Sequence, residues 1–327
     1  MRTRNGWRVA WMTGVLALAA SGQPKATKKP GVPAVQRPLS ALVPDAVVSV
    51  PGSPDWIGID ESIWISNSAA NSISRIDPKT NQVAAVVAAG NKPCAGLANA
   101  FGSVWTPVCG DKKLSRLDPK TGRMTASIPM EIPDSEGMLA AAFGSIWIMT
   151  DKLGTLARVD PAQNTVVAKI SIAPGSFDIA PGEGAIWVTS VEKSVVTRVD
   201  PATNRVAATI PVGKTPRFLA TGEGSVWTLN QAEGNVSRID PKTNKVVATI
   251  EVGVPGEGGD IAVGEGSVWV TAIDVPMSRI DPKTNRVVVQ FAGPGGDATR
   301  VAFGSVWLSN HAQHNVWRLD PKKIVLK

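Results

Sequence analysis

The chain has 327 residues, about twice the size of a common single domain, so it holds either two domains or one large domain built from repeated units. With 31 Gly, 25 Pro, 43% apolar and 19% charged residues it is foldable and turn-rich, which excludes a disordered or collagen-like chain. Two His, two Cys and no Tyr leave few side chains for proton transfer or metal binding at neutral pH, and this narrows the enzymatic options.

The net charge of +7 is confined to one end. Seven basic residues, from Arg2 to Arg37, precede the first acid, and the remainder holds 27 basic against 27 acidic residues. A balanced surface lacks the basic excess that phosphate contacts need, so no nucleic-acid partner is expected.

Arg2, Arg4 and Arg8 precede an apolar run from Val9 to Ala20, and small residues follow it to Gly22. Residues 1–21 therefore read as a signal peptide, cleaved between about Ala19 and Gly22. The run is too short to cross a bilayer as a helix, so the mature chain is expected to have no membrane span and to be periplasmic or secreted. The alternative is an uncleaved anchor. Residues 22–44 carry five prolines and read as a Pro/Lys-rich linker, with the folded domain over 45–327.

From residue 56 onward one pattern recurs seven times. Its Trp stands at 64, 105, 147, 187, 227, 269 and 307, at intervals of 38 to 42 residues. An Arg-x-Asp-Pro element follows each, from Arg75-Ile-Asp77 to Arg318-Leu-Asp320. Each unit contains four short runs rich in Val, Ile and Thr, divided by turn signals, with no stretch long enough for a helix. The expectation is an all-β fold, a seven-bladed β-propeller of four-stranded antiparallel blades.

In Asp240-Pro-Lys-Thr-Asn244, Asp accepts backbone hydrogen bonds, Pro presets φ, and Asn tolerates the left-handed conformation. The last position is Asn or Gly in six units and Ile324 in the seventh, whose outer strand is missing. The segment Asp45 to Val50 matches that strand and is expected to close the ring beside Trp317.

The repeat Trp residues read as packing between blades, and the Arg-x-Asp pair as a salt bridge that orients the turn. His311 and His314 read as a solvated loop, and the Gly-Glu-Gly triplets as hairpin turns. Cys94 and Cys109 flank the hairpin tip Phe101-Gly102 symmetrically and are expected to form a disulfide.

Nine residues before the repeat Trp, at the start of the innermost strand, stand Asp55, Asp178 and Asp260, with Asp297 one place earlier in its unit. Arg217 adjoins the matching position of unit five, and Arg300 is a weaker candidate. Two readings stay open. Either the carboxylates converge on a central funnel, where repulsion favours a divalent cation or a basic ligand and Arg217 neutralises one or holds an anion, or each Asp caps its own loop.

The sequences Val268-Trp-Val-Thr271 with Arg279-Ile-Asp-Pro282, and Ile186-Trp-Val-Thr189 with Arg198-Val-Asp-Pro201, resemble the YVTN-type β-propeller repeat proteins. The chain is similar, too, to the streptogramin B (virginiamycin B) lyase-like propellers, over residues 45–327. In those lyases, paired histidines follow a proline at the start of innermost strands, with a glutamate and magnesium nearby. The matching positions here, Pro216-Arg217-Phe218-Leu219 and Gly258-Gly259-Asp260-Ile261, carry no His. The resemblance thus implies an exported module that binds a small molecule or protein at the funnel end without catalysis or a cofactor of its own. The alternative is a lyase or hydrolase of a cyclic ester that uses acidic residues and a divalent metal.

Overall fold

The computed structural model describes residues 31–94, 96–133, 137–256 and 258–325, and the expected signal peptide lies outside them. The chain forms seven antiparallel blades in a propeller ring. Blade 5 is the most regular, with strands Pro216–Gly222, Ser225–Asn230, Asn235–Asp240 and Lys245–Glu251 running outward as a meander. Its second strand is buried at every residue because both faces meet neighbouring blades, whereas its outer strand alternates between exposed and covered positions.

Blade 7 contributes only Thr299–Ala302, Ser305–Asn310 and Asn315–Leu319. Ala46–Ser49 supplies its fourth strand, with Val47 opposite Trp317. The N-terminal segment therefore closes the ring where unit seven lacks its turn.

Part of the Pro-rich stretch is ordered on blade 6. Gln36–Pro38 adds a fifth, parallel strand beside Arg286–Ala292. The buried Gln290 side chain accepts hydrogen bonds from the Val32 N–H and the Gln36 amide, and donates to Val252 and Ser278. The physical reason is the apolar outer strand of this unit, where Val287, Val289 and Phe291 are buried and need a cover.

All seven repeat Trp side chains are buried. Their indole N–H groups are satisfied close by, for example by the carbonyl of Gly222 for Trp227 at 3.1 Å, and by Asp60 for Trp64 at 2.9 Å. The repeat arginines do something the sequence pattern did not suggest. Among the described residues no ion pair joins them to the aspartate two residues on. Each guanidinium lies over its own blade's Trp, 4.8 Å from the ring centre for Arg238 and 5.8 Å for Arg75. Each also donates to a proline carbonyl in the next blade's Asp-Pro turn, as Arg158 does to Pro201 at 2.8 Å and Arg238 to Pro282 at 2.6 Å.

The correction has a simple cause. The Asp carboxylate is already occupied by its own turn: the Lys242 N–H donates to Asp240 at 2.9 Å and, with Thr243, holds its carboxyl below the usual range. That leaves the guanidinium to reach across. In most junctions the left-handed Asn adds a side-chain acceptor, such as Asn285 for Arg238 at 2.9 Å. Ile324 supplies its carbonyl instead, to Arg279 at 3.0 Å. Arg318 donates to Asn81 at 3.0 Å and so joins blade 7 to blade 1.

Between blades 1 and 2 the Asn is Gly122, which offers no side-chain acceptor, and a cavity of about 650 Å³ lies between Trp64, Arg75 and Pro119. Charged hydrogen bonds contribute ~1.5–3 kcal/mol and a cation–π contact ~0.5–2 kcal/mol. Arg238→Ala should therefore destabilise the propeller by about 2–4 kcal/mol, and Arg75→Ala by about 1–2 kcal/mol less. Melting temperatures of the two variants against the parent check the order, and equal losses would remove the inter-blade clasp as its cause.

Candidate functional site

The inner strands surround a central cavity of about 320 Å³. Residues that pair with the repeat Trp across the first hairpin ring this space: Gly58, Ala98, Ala140, Ala180, Ala220 and Ala262 in six blades, and Arg300 in the seventh. Small side chains leave the axis open, and one long cationic side chain enters it.

One step further toward the strand start, the equivalent residues are Trp56, Asp178, Phe218 and Asp260. Register shifts between Pro54 and Ile57, Ser176 and Ile179, and Pro216 and Phe218 mark bulges in blades 1, 4 and 5. Bulges re-aim side chains, and these sit where Trp56, Asp178 and Arg217 leave the ladder. Trp56 and Phe218 pack with ring centres 6.2 Å apart, and Phe177 meets Phe218 edge-on at 5.7 Å. The buried Trp56 and Phe218 rings and the half-buried Phe177 ring form a floor at the strand-start end. At the other end Ile59, Asn99, Pro181 and Thr221 are half-buried, which puts the solvent-facing mouth there.

Asp178 and Asp260 are 2% and 1% exposed. Asp178 accepts the N–H of Ile179 at 2.9 Å and that of Leu219, in the next blade, at 2.8 Å. Asp260 repeats the device with Ile261 at 2.8 Å and Thr299 at 3.0 Å. Each therefore staples two inner strands together and goes beyond capping its own loop.

Arg300 completes the group. Its guanidinium lies 4.3 Å from the Trp56 ring centre and pairs with Asp260 through Nη1. Burial raises the Asp260 carboxyl above its usual range, with the Arg300 charge the largest opposing effect. Burial pushes Asp178 well above that range, the Asp260 charge adds to it, and the Leu219 N–H pulls back most strongly.

The remaining sequence candidates lie elsewhere. Asp55 and Asp297 line a separate cavity of about 330 Å³ with His311 and Gln313, at the strand-start end. The hairpin Asp60-Glu61-Ser62 explains the separation. Five residues separate Gly58 from Trp64 across it, against six between Ala220 and Trp227, so counting back from the Trp misaligns unit one by a place. Asp55 is structurally equivalent to Asp297 and Arg217, and Trp56 holds the position of Asp178. The four aspartates do not share one cavity. Arg217 lies over Phe177 at 4.7 Å and Phe218 at 5.2 Å, on the outer side of the aromatic floor. His314 contacts the carbonyl of Gly52 at 2.6 Å, and burial lowers the proton affinity of His311, with His314 adding to it.

Sequence reasoning missed Trp56, and it ranked Arg300 below Arg217. A signal for Arg300 was present, because five alanines hold the same place in other units. Among the described residues no group of three or more His, Cys, Asp or Glu side chains is placed to hold a metal ion. Cys94 and Cys109 are joined by a disulfide, with Cα atoms 5.5 Å apart. Among the described residues no helix is long and apolar enough to cross a membrane.

The architecture defines a seven-bladed propeller whose axial cavity carries one Arg–Asp pair. It is similar in fold to a solved structure of streptogramin B lyase, with a TM-score of 0.70 and 19% identity over 83% of this chain and 94% of that one. It is similar also to virginiamycin B lyase from Staphylococcus aureus, solved as a catalytically inactive His-to-Ala variant with quinupristin. There the TM-score is 0.71 and the identity 15%, over 84% of this chain and 98% of that one. No protein-family model matches the chain, and no curated protein matches it.

The buried carboxyl makes a test of the floor. A folded-state value raised above the unfolded one means that the folded protein holds the proton more tightly, so Asp178 costs stability progressively as pH rises above about 4 toward its folded-state value. Asp178→Asn leaves one backbone N–H without its acceptor, a cost that does not vary with pH. The melting temperature of Asp178→Asn relative to the parent should therefore shift in favour of the variant between pH 4 and pH 8. A pH-independent difference would mean that Asp178 ionises normally in the fold.

Proposed function

We propose that the protein is an exported binding module that takes a small molecule into the axial cavity and performs no reaction on it. The observation that carries this reading is the cavity itself: a ring of Gly and Ala around a space of about 320 Å³, with a few fixed polar groups at its floor. Concave spaces that bring a few convergent polar groups together beside apolar side chains are what ligand sites look like. Neither His borders this cavity, so it lacks the side chain most used for proton transfer at neutral pH. Export is supported by the signal-like N-terminus and by the disulfide, which persists in oxidising compartments.

A small-molecule panel, read by melting temperature, tests the binding function. A ligand at a hundred times its Kd stabilises by ~2.7 kcal/mol, and Ala141→Trp, which places a large ring at the cavity mouth that the half-buried Ala141 lines, should abolish the shift. A shift that survives Ala141→Trp would place binding elsewhere, and no shift with any compound would remove the reading.

The likeness in fold to streptogramin B lyase favours one second reading, cleavage of a cyclic ester. Turnover of quinupristin by the parent protein would establish it in place of simple binding.

A further inference from the structure

We infer that the floor of the axial cavity is a carboxylate subsite, in which Arg300 holds the acid group of a small monocarboxylate whose apolar body lies along the Ala ring. This rests on the binding function proposed above and names its ligand class.

A guanidinium has five N–H donors. In Arg300 one nitrogen, Nη1, serves both Asp260 and the carbonyl of Thr299. Among the described residues Nε and Nη2 make no hydrogen bond or ion pair. The side chain is 23% exposed and lines the cavity. Its position is fixed from two sides, by the Trp56 ring beneath and by Asp260 at one nitrogen. A planar cation that is already oriented, with donors to spare, suits a carboxylate better than a cation or a neutral polar group.

The repeat arginines show the contrast. Arg238 uses Nε on Ser225 and Nη1 on Pro282 and Asn285, so two of its three nitrogens, including the one Arg300 leaves open at Nε, are committed within the fold. Arg300 departs from the small-residue pattern, enters the cavity, and retains its second edge.

The charges on the floor fit the same ligand class. Asp260 is matched by Arg300. Asp178 faces Asp260 and Arg300, with the Leu219 and Ile179 N–H groups upon it, and its burial favours the neutral acid. An anion therefore meets less repulsion there than the count of carboxyls suggests. Above the cavity floor, the alanines of the ring offer apolar surface to the body of the ligand.

The test uses matched sets with one body and three heads: benzoate, benzamide and benzylamine, and the hexanoate, hexanamide and hexylamine series. Titration calorimetry with the parent protein should give at least a tenfold preference for the acid over the amide, which corresponds to ~1.4 kcal/mol. Asp260→Asn with Arg300→Gln removes the ion pair without stranding a buried charge, and it should erase the preference while the melting curve stays cooperative. Arg300→Lys should retain part of it. In the parent, affinity for the acid should rise as pH falls through the Asp178 titration, and Asp178→Asn should flatten that dependence.

Amides or amines that bind as well as the acids, with the Ala141→Trp variant blocking them, would overturn the carboxylate subsite and leave the binding function standing. An acid preference unchanged in the double variant would also overturn it. Absence of binding by every compound would remove both.

Discussion

The clasp between each repeat arginine and the next blade's Asp-Pro turn is the contact on which the ring depends. A blade of four strands cannot bury both faces alone, so stability has to come from what neighbouring blades do for each other. The Trp supplies apolar surface at the wedge, and the arginine above it converts packing into register because a guanidinium reaches a carbonyl only at one relative height of the two blades. Seven repetitions fix the spacing of the inner strands. The last of them, from Arg318 to Pro78 and Asn81, crosses from the end of the chain to its first unit. The strand Ala46–Ser49 closes the same junction from the outer edge. Two independent devices thus hold the one place where the covalent chain does not.

With the blades held in this way, the axis can tolerate residues that contribute little to packing. Bulges at the starts of three inner strands use that freedom, turning Trp56, Asp178 and Arg217 out of the ladder. Buried carboxylates are costly unless they are paired or hydrogen-bonded. Asp178 and Asp260 meet the requirement by each accepting two backbone N–H groups, one from the next blade. Polar groups at the axis are in this sense part of the ring's own bonding, and the cavity inherits them.

The fold was legible because the repeat is redundant. Seven Trp positions, seven Asp-Pro turns and a truncated last unit specify blade number, strand order and closure, and a wrong assignment in any one unit would be corrected by the others. The parallel strand Gln36–Pro38 was not legible, since three residues paired to a distant edge leave no periodicity of their own. Its trace lies in the partner strand, where the buried Val289 and Gln290 replace the more exposed Ala248 and Thr249 of blade 5. The arginine's partner was misread for a related reason. Sequence shows which residues share a strand face, and it cannot show that the neighbouring Asp is already occupied by its own turn.

The site was half legible, and the division follows the same physics. Residues that repeat report the fold, so chemistry has to be sought where a unit departs from its neighbours at an equivalent position. Finding equivalence needs the register, and unit one, with one residue fewer between the Trp and its paired position, shifts it by one. Counting from the Trp placed Asp55 beside Asp178 and Asp260, whereas pairing across the hairpin puts Trp56 there and moves Asp55 beside Asp297. The same correction aligns Gly58 with the five alanines and isolates Arg300 as the one long side chain in a ring of small ones. A repeat protein therefore shows its candidate site as the residue that breaks the most uniform position nearest the axis, once strand pairing rather than spacing defines that position.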